Sequence, residues 1–295
     1  MENKKPKYSF CITTYNDNKT IRKSLESILS QIEGDEMFEV VIVDAGSTDG
    51  SLEYLRELER KGKIRLIVDR RTRGSVGLGR QIALENARGD YVILYCDTDC
   101  YYKPLFKEIL RFYHEKEKEL GEYALSGLGE CLICSRTLAM SVGFHDLRYA
   151  EDIDFEVRMW KKGKLYQADP PGCLLIDQER EKFKSNYYKL KRMFYESRDL
   201  LRIGVTFWSL FRRRLKTMNV NFKISRIIIT LLTLVPAWIA HWFKPRYKDT
   251  FKNIDFTSFY LARHAPKIKL PKSFKSEYKP RKLGKAPEIS YTAGD

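Results

Sequence analysis

Over its first hundred residues the chain alternates two apolar patterns. Residues 8–13 (YSFCIT), 38–43 (FEVVIV), 64–68 (IRLIV) and 91–96 (YVILYC) are short continuous runs rich in β-branched and aromatic side chains, which predicts buried strands. Between them, residues 19–31, 51–61 and 78–87 carry apolar side chains three and four apart. Ile21, Leu25, Ile28 and Leu29 share one helical face in the first, and Leu52, Leu55 and Leu58 do so in the second. Strand–helix alternation of this kind predicts an α/β fold: a Rossmann-like, mostly parallel sheet flanked by helices. Ligands of such sheets sit beyond the carboxyl ends of the strands. Polar clusters fall at three of those ends: Thr13-Thr14-Tyr15-Asn16, the stretch from Asp44 to Asp49-Gly50, and Asp97-Thr98-Asp99.

Each cluster has a chemical reading and a plainer one. Asp97 and Asp99 leave the fourth strand together, and paired carboxylate oxygens suit Mg2+ or Mn2+, which in turn hold a diphosphate; an Asp-x-Asp is also a common turn. Ser47, Thr48 or Asp49 is a natural N-cap and Gly46 suits the turn, whereas Asp44 ends its strand before the turn and is free to face a ligand. In Arg73-Gly74-Ser75-Val76-Gly77-Leu78-Gly79-Arg80 the glycines permit close backbone approach, and Arg73 or Arg80 is suited to phosphate. The third glycine of a dinucleotide fingerprint is missing, which argues against an oxidoreductase. Glu151-Asp152-Ile153-Asp154 opens a helix, where carboxylates complement the dipole; a carboxylate here also suits a general base acting on a hydroxyl.

Charge separates two regions. The chain of 295 residues carries a net +15, yet residues 1–180 hold 28 Lys+Arg against 31 Asp+Glu, and residues 181–295 hold 26 against 8. With 43% apolar and 32% charged residues, a wholly disordered or collagen-like chain is excluded. Cys11, Cys96, Cys100, Cys131, Cys134 and Cys173 lie in or beside apolar runs, as buried thiols of an intracellular protein do. Cys131-Leu-Ile-Cys134 has metal-ligand spacing but no second pair, so a packed strand is the better reading. The N-terminus MENKKPKYSF has no apolar signal-peptide core, so the first domain is expected to stay in the cytoplasm.

Taken in order, Thr13-Thr14-Tyr15-Asn16, Asp44 to Asp49-Gly50, Gly89-Asp90-Tyr91, Asp97-Thr98-Asp99, Gly143-Phe144 and Glu151-Asp152 resemble the family 2 inverting glycosyltransferases of the GT-A fold. The resemblance covers residues 8–180. It implies a nucleotide-sugar donor, UDP- or GDP-linked, held by Thr13, Tyr15, Asp44, Arg80 and Asp97. It further implies Mn2+ or Mg2+ on Asp99 with Asp97, Asp152 as the base that deprotonates the acceptor, and Glu151 orienting that acceptor. Relatives often carry a histidine metal ligand after the next strand; here the stretch reads Leu175-Ile176-Asp177-Gln178, and Asp177 stands in its place. The Gln-x-x-Arg-Trp signature of processive synthases is absent, which favours a single-addition enzyme.

The expected domains are a catalytic 1–180 (donor side 1–100, acceptor side 101–180), a basic and apolar helical 181–263, and a weakly ordered, proline-containing basic tail 264–295. In the second, Tyr187, Leu190, Met193, Phe194 and Leu201 fit an amphipathic helix. Residues 227–243 (IIITLLTLVPAWIAHWF) carry no Asp, Glu, Lys or Arg. As a helix they would reach roughly 26 Å, against a hydrocarbon core of about 30 Å. Pro236 and flanking cations leave a clean span and a tilted, kinked or in-plane helix equally open, with a buried helix of a soluble protein as the plainer alternative. Near an anionic leaflet each Lys or Arg contributes about 1 kcal/mol. This suits an enzyme with a lipid-linked acceptor on the cytoplasmic face of the cell membrane, with no nucleic-acid partner. The rival is a non-catalytic protein binding nucleic acid or another polyanion through the basic region.

Overall fold

The computed structural model describes residues 5–178, 186–217, 223–252, 254, 256 and 264–274. The paired strands β1 (Tyr8–Thr14) and β2 (Phe38–Asp44) explain why the apolar runs are continuous. Phe10, Ile12, Val40 and Ile42 enter one core, while Cys11, Val41 and Val43 enter another on the opposite face of the sheet. Side chains that alternate between two buried layers make both runs mostly apolar, and Ser9 and Glu39, the polar pair at their starts, hydrogen-bond to each other (2.6 Å). The first layer is completed by α1 (Ile21–Ile32), which buries Ile21, Leu25, Ile28 and Ile32, and by α2 (Ser51–Arg60), which buries Leu55 and Leu58. The second receives α3 (Val76–Asn86) through Ala83 and Leu84.

β3 (Arg65–Val68) and β4 (Tyr91–Leu94) flank this pair, giving the order β3-β2-β1-β4 with all four parallel. β4 is shorter than the apolar run because Tyr95 adopts φ 71°, which turns the chain out of the sheet two residues before Asp97. Next come β5 (Cys100–Tyr102), α4 (Phe106–Leu120), β6 (Ala124–Ser126), β7 (Leu132–Ser135), α5 (Arg136–Val142), α6 (Glu151–Lys161) and β8 (Leu165–Asp169). Cys131 and Cys134 accordingly bound a packed strand, and both are buried. β7 runs antiparallel to β4 and β6, so the sheet continues β4-β7-β6-β8. β9 (Leu175–Gln178) pairs apart from it with β5, and Asp177 stands opposite Tyr101 in that register.

The C-terminal region departs from the sequence-based expectation in three ways. β10 (Lys267–Lys269) joins the main sheet parallel to β8, and Ile268, Leu270 and Phe274 enter its core, so this part of the tail is ordered and belongs to the main sheet. Residues 275–295 lie outside the described residues. In α7 (Asn186–Arg202), Leu201 is buried as expected and Met193 and Phe194 are half-buried, but Tyr187 and Leu190 are exposed, and the buried face also takes in Ser197, Asp199, Leu200 and Arg202. With α8 (Phe207–Thr217) and α9 (Lys223–Ala240), α7 forms a third core that includes Leu147, Ala150 and Val157 from around α6. Within it, Asp199 Oδ2 accepts from the backbone N–H groups of Arg148 (2.8 Å) and Tyr149 (3.0 Å), and Arg202 Nη2 donates to Asp146 O (2.7 Å). The helices after residue 185 therefore brace the loop that leads into α6, and are not a detached extension.

Candidate active site

Two loops meet at the carboxyl ends of β1 and β2. Asn16, held at φ 56°, donates its N–H to Ser47 Oγ (2.9 Å) and accepts from Thr48 N–H through Oδ1 (2.8 Å). Asp44, expected to face a ligand, is fully buried. Its Oδ1 accepts from the N–H groups of Gly46 and Ser47 (2.8 Å each), and its Oδ2 accepts from Ser47 Oγ (2.6 Å). Its carboxylate thus builds the turn. Thr13 packs closely on α3, where a Cβ at Gly79 would come 2.9 Å from its methyl group. Half-buried Tyr15 has the exposed Arg73 guanidinium 5.0 Å from its ring centroid.

One residue that ties these loops to the Asp-x-Asp turn had no signal in the sequence. Asp17 Oδ2 accepts from Thr98 Oγ1 (2.6 Å) and Thr14 Oγ1 (3.0 Å), joining the β1 end to the middle of Asp97-Thr98-Asp99. Burial pushes its pKa up against these hydrogen bonds. Ser24 Oγ donates to Asp97 O (3.0 Å), and Asp97 N–H donates to Tyr102 Oη (3.0 Å), so the turn is held from both sides. Asp97 and Asp99 are half-buried, and their carboxylate oxygens lie with Cys100 Sγ inside a 4.8 Å circle. Two carboxylates at that spacing fit a hard divalent cation; the neighbouring thiol is the weaker partner for such an ion.

Arg80 connects this cluster to the head of α6. It is buried, and its Nη2 lies 3.4 Å from Asp97 Oδ1 and 3.3 Å from Glu151 Oε1, so one guanidinium nitrogen touches both sides of the site. It also sits 4.5 Å from the ring centroid of Tyr95. Arg80 Nε and Nη1 and Tyr95 Oη are buried with no hydrogen-bond partner among the described residues. Such unspent donors are what a phosphate or sugar oxygen can take up.

The three carboxylates at the head of α6 have separate environments. Ala150, at φ 61°, turns the chain into the helix. Glu151 is buried, and burial first, then the charge of Asp152, push its pKa up to about 8 against the pull of Arg80. Asp152 is half-buried, with Oδ1 accepting from the N–H of Ile153 (2.8 Å). Asp154 is fully buried, where burial opposes its charge. His145 Nδ1 at 2.8 Å, Arg158 Nη2 at 2.6 Å and the Thr250 hydroxyl at 2.6 Å overcome that and hold its carboxyl below the usual value. Asp154 is thus a structural anchor, Glu151 a buried partner of Arg80, and Asp152 the carboxylate with access to solvent.

The raised Glu151 value has a pH signature. A carboxyl whose folded pKa exceeds its unfolded one favours folding below the unfolded value, and loses that contribution as pH rises toward the folded one. Glu151→Gln is expected to leave the melting temperature near pH 5 unchanged and to flatten its fall between about pH 5 and pH 8. Thermal melts of both proteins across that range are the measurement; parallel curves would show Glu151 to be ionised throughout.

Known proteins resemble part of this chain. Residues 9–124 match the family model described as Glycosyl transferase family 2. A poly(ribitol-phosphate) beta-glucosyltransferase of Bacillus spizizenii is 31% identical over 123 residues, 41% of this chain and 19% of that protein. The poly(ribitol-phosphate) beta-N-acetylglucosaminyltransferase TarS of Staphylococcus aureus is 32% identical over 115 residues, 39% of this chain and 20% of that one. The chain thus spans about a fifth of the length of these relatives. Among solved structures, a mannosyltransferase from Pyrobaculum calidifontis in complex with GDP-Man and Mn2+ superposes with a TM-score of 0.52 at 18% identity. It covers 80% of this chain and 75% of that one, and the two share a fold. The matched stretch 9–124 contains the four parallel strands β1 to β4 and the helices between them.

Proposed function

We propose that this protein is a metal-dependent inverting glycosyltransferase of the single-addition type. It moves a sugar from a nucleoside-diphosphate sugar, UDP- or GDP-linked, to a hydroxyl or phosphate of a lipid-linked acceptor at the cytoplasmic face of the cell membrane. The observation that carries the reading is the Arg80 bridge, which couples the Asp-x-Asp turn at the end of β4 to the carboxylates heading α6. The family match over 9–124 supports the reaction class, and the GDP-Man and Mn2+ bound by the mannosyltransferase of shared fold support a sugar nucleotide as donor.

In this reading Asp97 and Asp99 hold Mn2+ or Mg2+, which when bound neutralises the diphosphate. Arg80 supplies further positive charge beside it, and Thr13 and Tyr15 line the nucleotide side at the end of β1. Asp152 removes the proton from the acceptor hydroxyl as its oxygen attacks the anomeric carbon. The new carbon–oxygen bond forms on the face opposite the breaking bond to phosphate, so the configuration inverts. Glu151, protonated and held on Arg80, shapes the acceptor side without competing for that proton.

A panel of UDP- and GDP-sugars, each with Mn2+, Mg2+ or chelator, is the direct test by thermal shift. One nucleotide series is expected to raise the melting temperature by several degrees only with metal, as about 100-fold saturation adds roughly 2.7 kcal/mol. A flat response across the whole panel would remove the enzyme reading.

A further inference from the structure

We propose that α8, α9 and the turn after them form an in-plane docking surface for an anionic lipid bilayer, laid on the interface and not threaded through it. The inference deepens the reading that the acceptor is membrane-borne, and it stands on the shape of the helices.

The apolar run 227–243 is divided by the fold into two faces. Thr230, Thr233, Leu234, Ala237 and His241 are buried against the rest of the protein. The opposite face, Ile228, Leu231, Leu232, Val235, Trp238 and Ile239, continues into Trp242 and Phe243 and is open to solvent, with Leu232 68% and Phe243 82% exposed. α8 extends the surface: Trp208 is exposed, and Phe207 beside it lies 6.3 Å, centroid to centroid, from Trp238. A contiguous apolar face of this size marks an interaction site on a folded protein. Among the described residues no helix is long and apolar enough to cross a membrane. The buried face of α9 is moreover committed to protein: Arg214 Nη1 donates to Thr233 Oγ1 (2.7 Å), and the same guanidinium reaches Met193 O of α7 (2.7 Å). Extracting α9 to span a bilayer would strand that buried arginine.

Charge selects the occupant. Residues 200–248 contain ten Lys and Arg and no Asp or Glu. Arg212 and Lys216 are exposed on α8 one and two turns beyond Trp208, and Lys244, Arg246 and Lys248 are exposed just past Phe243. Arg246 lies 3.9 Å from the Trp242 ring centroid, pairing a cation with an aromatic at the end of the apolar face. A second copy docked face to face would set these cations against one another. An anionic leaflet satisfies them while its acyl region takes the leucines and the tryptophans settle at the headgroup level.

The test is flotation of the full chain with vesicles of phosphatidylcholine alone or with 30% phosphatidylglycerol, read together with nucleotide-sugar affinity by calorimetry. Wild type is expected to float with the anionic vesicles, and to be released by alkaline carbonate and in large part by 1 M salt, where the Debye length falls to about 3 Å. Leu232→Glu/Trp238→Glu/Phe243→Glu, all at exposed positions, should lower the vesicle-bound fraction by more than ~10-fold with donor affinity unchanged. Lys244→Glu/Arg246→Glu should do the same for anionic vesicles. Tryptophan quenching should be stronger with bromine placed shallow in the acyl chain than deep. Carbonate-resistant binding with deep quenching would overturn the in-plane mode in favour of a span. Absence of flotation, whether with concentration-dependent dimerisation or with salt-resistant RNA binding, would overturn the lipid surface. Intact flotation without donor affinity would sink the transferase reading and leave the docking surface standing.

Discussion

Asp152→Asn is expected to reduce sugar transfer by about 10²- to 10⁴-fold, the usual contribution of a positioned general base, while leaving nucleotide-sugar affinity and melting temperature near wild type. The substitution is close to isosteric, and asparagine can still accept from the Ile153 N–H that Asp152 now engages, so the first turn of α6 keeps its geometry. It removes only the ability to take a proton. Transfer measured at saturating donor separates the two readings of the α6 acidic cluster: a helix-dipole role would cost a few tenths of a kcal/mol of stability and little turnover. Near-normal turnover would move the base elsewhere. Glu151 is a poor substitute, since its carboxyl is buried, protonated near neutrality and occupied by Arg80. Asp154 is worse, being enclosed by His145, Arg158 and Thr250.

That three carboxylates in four residues divide so sharply shows where sequence pattern stops. Their types and spacing were visible; which one is exposed depends on Arg80, more than seventy residues earlier, and on Thr250, near the other end of the chain. The sheet was legible because strands buried on both faces read as short, mostly apolar, β-branched runs, a local property. The end of β4 was not, because the turn at Tyr95 uses a backbone conformation that no tyrosine advertises. Asp17 was missed for a related reason. It is an ordinary polar residue in a loop until Thr98, eighty-one residues on, comes within hydrogen-bond distance.

The basic region misled in a different way. A helix apolar all round carries no period, so residues 227–243 gave no hint of which side protein would claim. Thr230 and Thr233, polar positions in the run, are buried along with Leu234 and Ala237, while Ile228 and Leu232 are exposed. In α7 the usual rule inverts: Asp199 and Arg202 are inside, because the backbone groups of residues 146–149 and 245 supply their hydrogen-bond partners. Buried charges with backbone partners are invisible to any pattern of apolar positions. They also give α7, and through it α8 and α9, a hold on the loop that leads into α6 and Asp152.

Asp99→Ala is expected to abolish the metal-dependent part of donor binding, weakening nucleotide-sugar affinity by at least about 10-fold and bringing the value with Mn2+ down to that with chelator. The cluster of Asp97, Asp99 and Cys100 would lose one of its two hard ligands, and a thiol is not an adequate replacement for a carboxylate toward Mn2+ or Mg2+. Asp97 cannot compensate alone, because Arg80 Nη2 at 3.4 Å already draws on its charge. The fold should survive: Asp17, Ser24 and Tyr102 hold the turn through Thr98 Oγ1, Asp97 O and Asp97 N–H, and none of these contacts uses the Asp99 side chain. Calorimetric titration of the donor, with and without metal, on wild type and Asp99→Ala completes the cycle. Equal metal dependence in the two proteins would show that the cation, if one is used, is held elsewhere. Residual metal-independent affinity in the variant should then fall further in Asp99→Ala/Arg80→Met, because the remaining attraction for the diphosphate comes from that buried guanidinium.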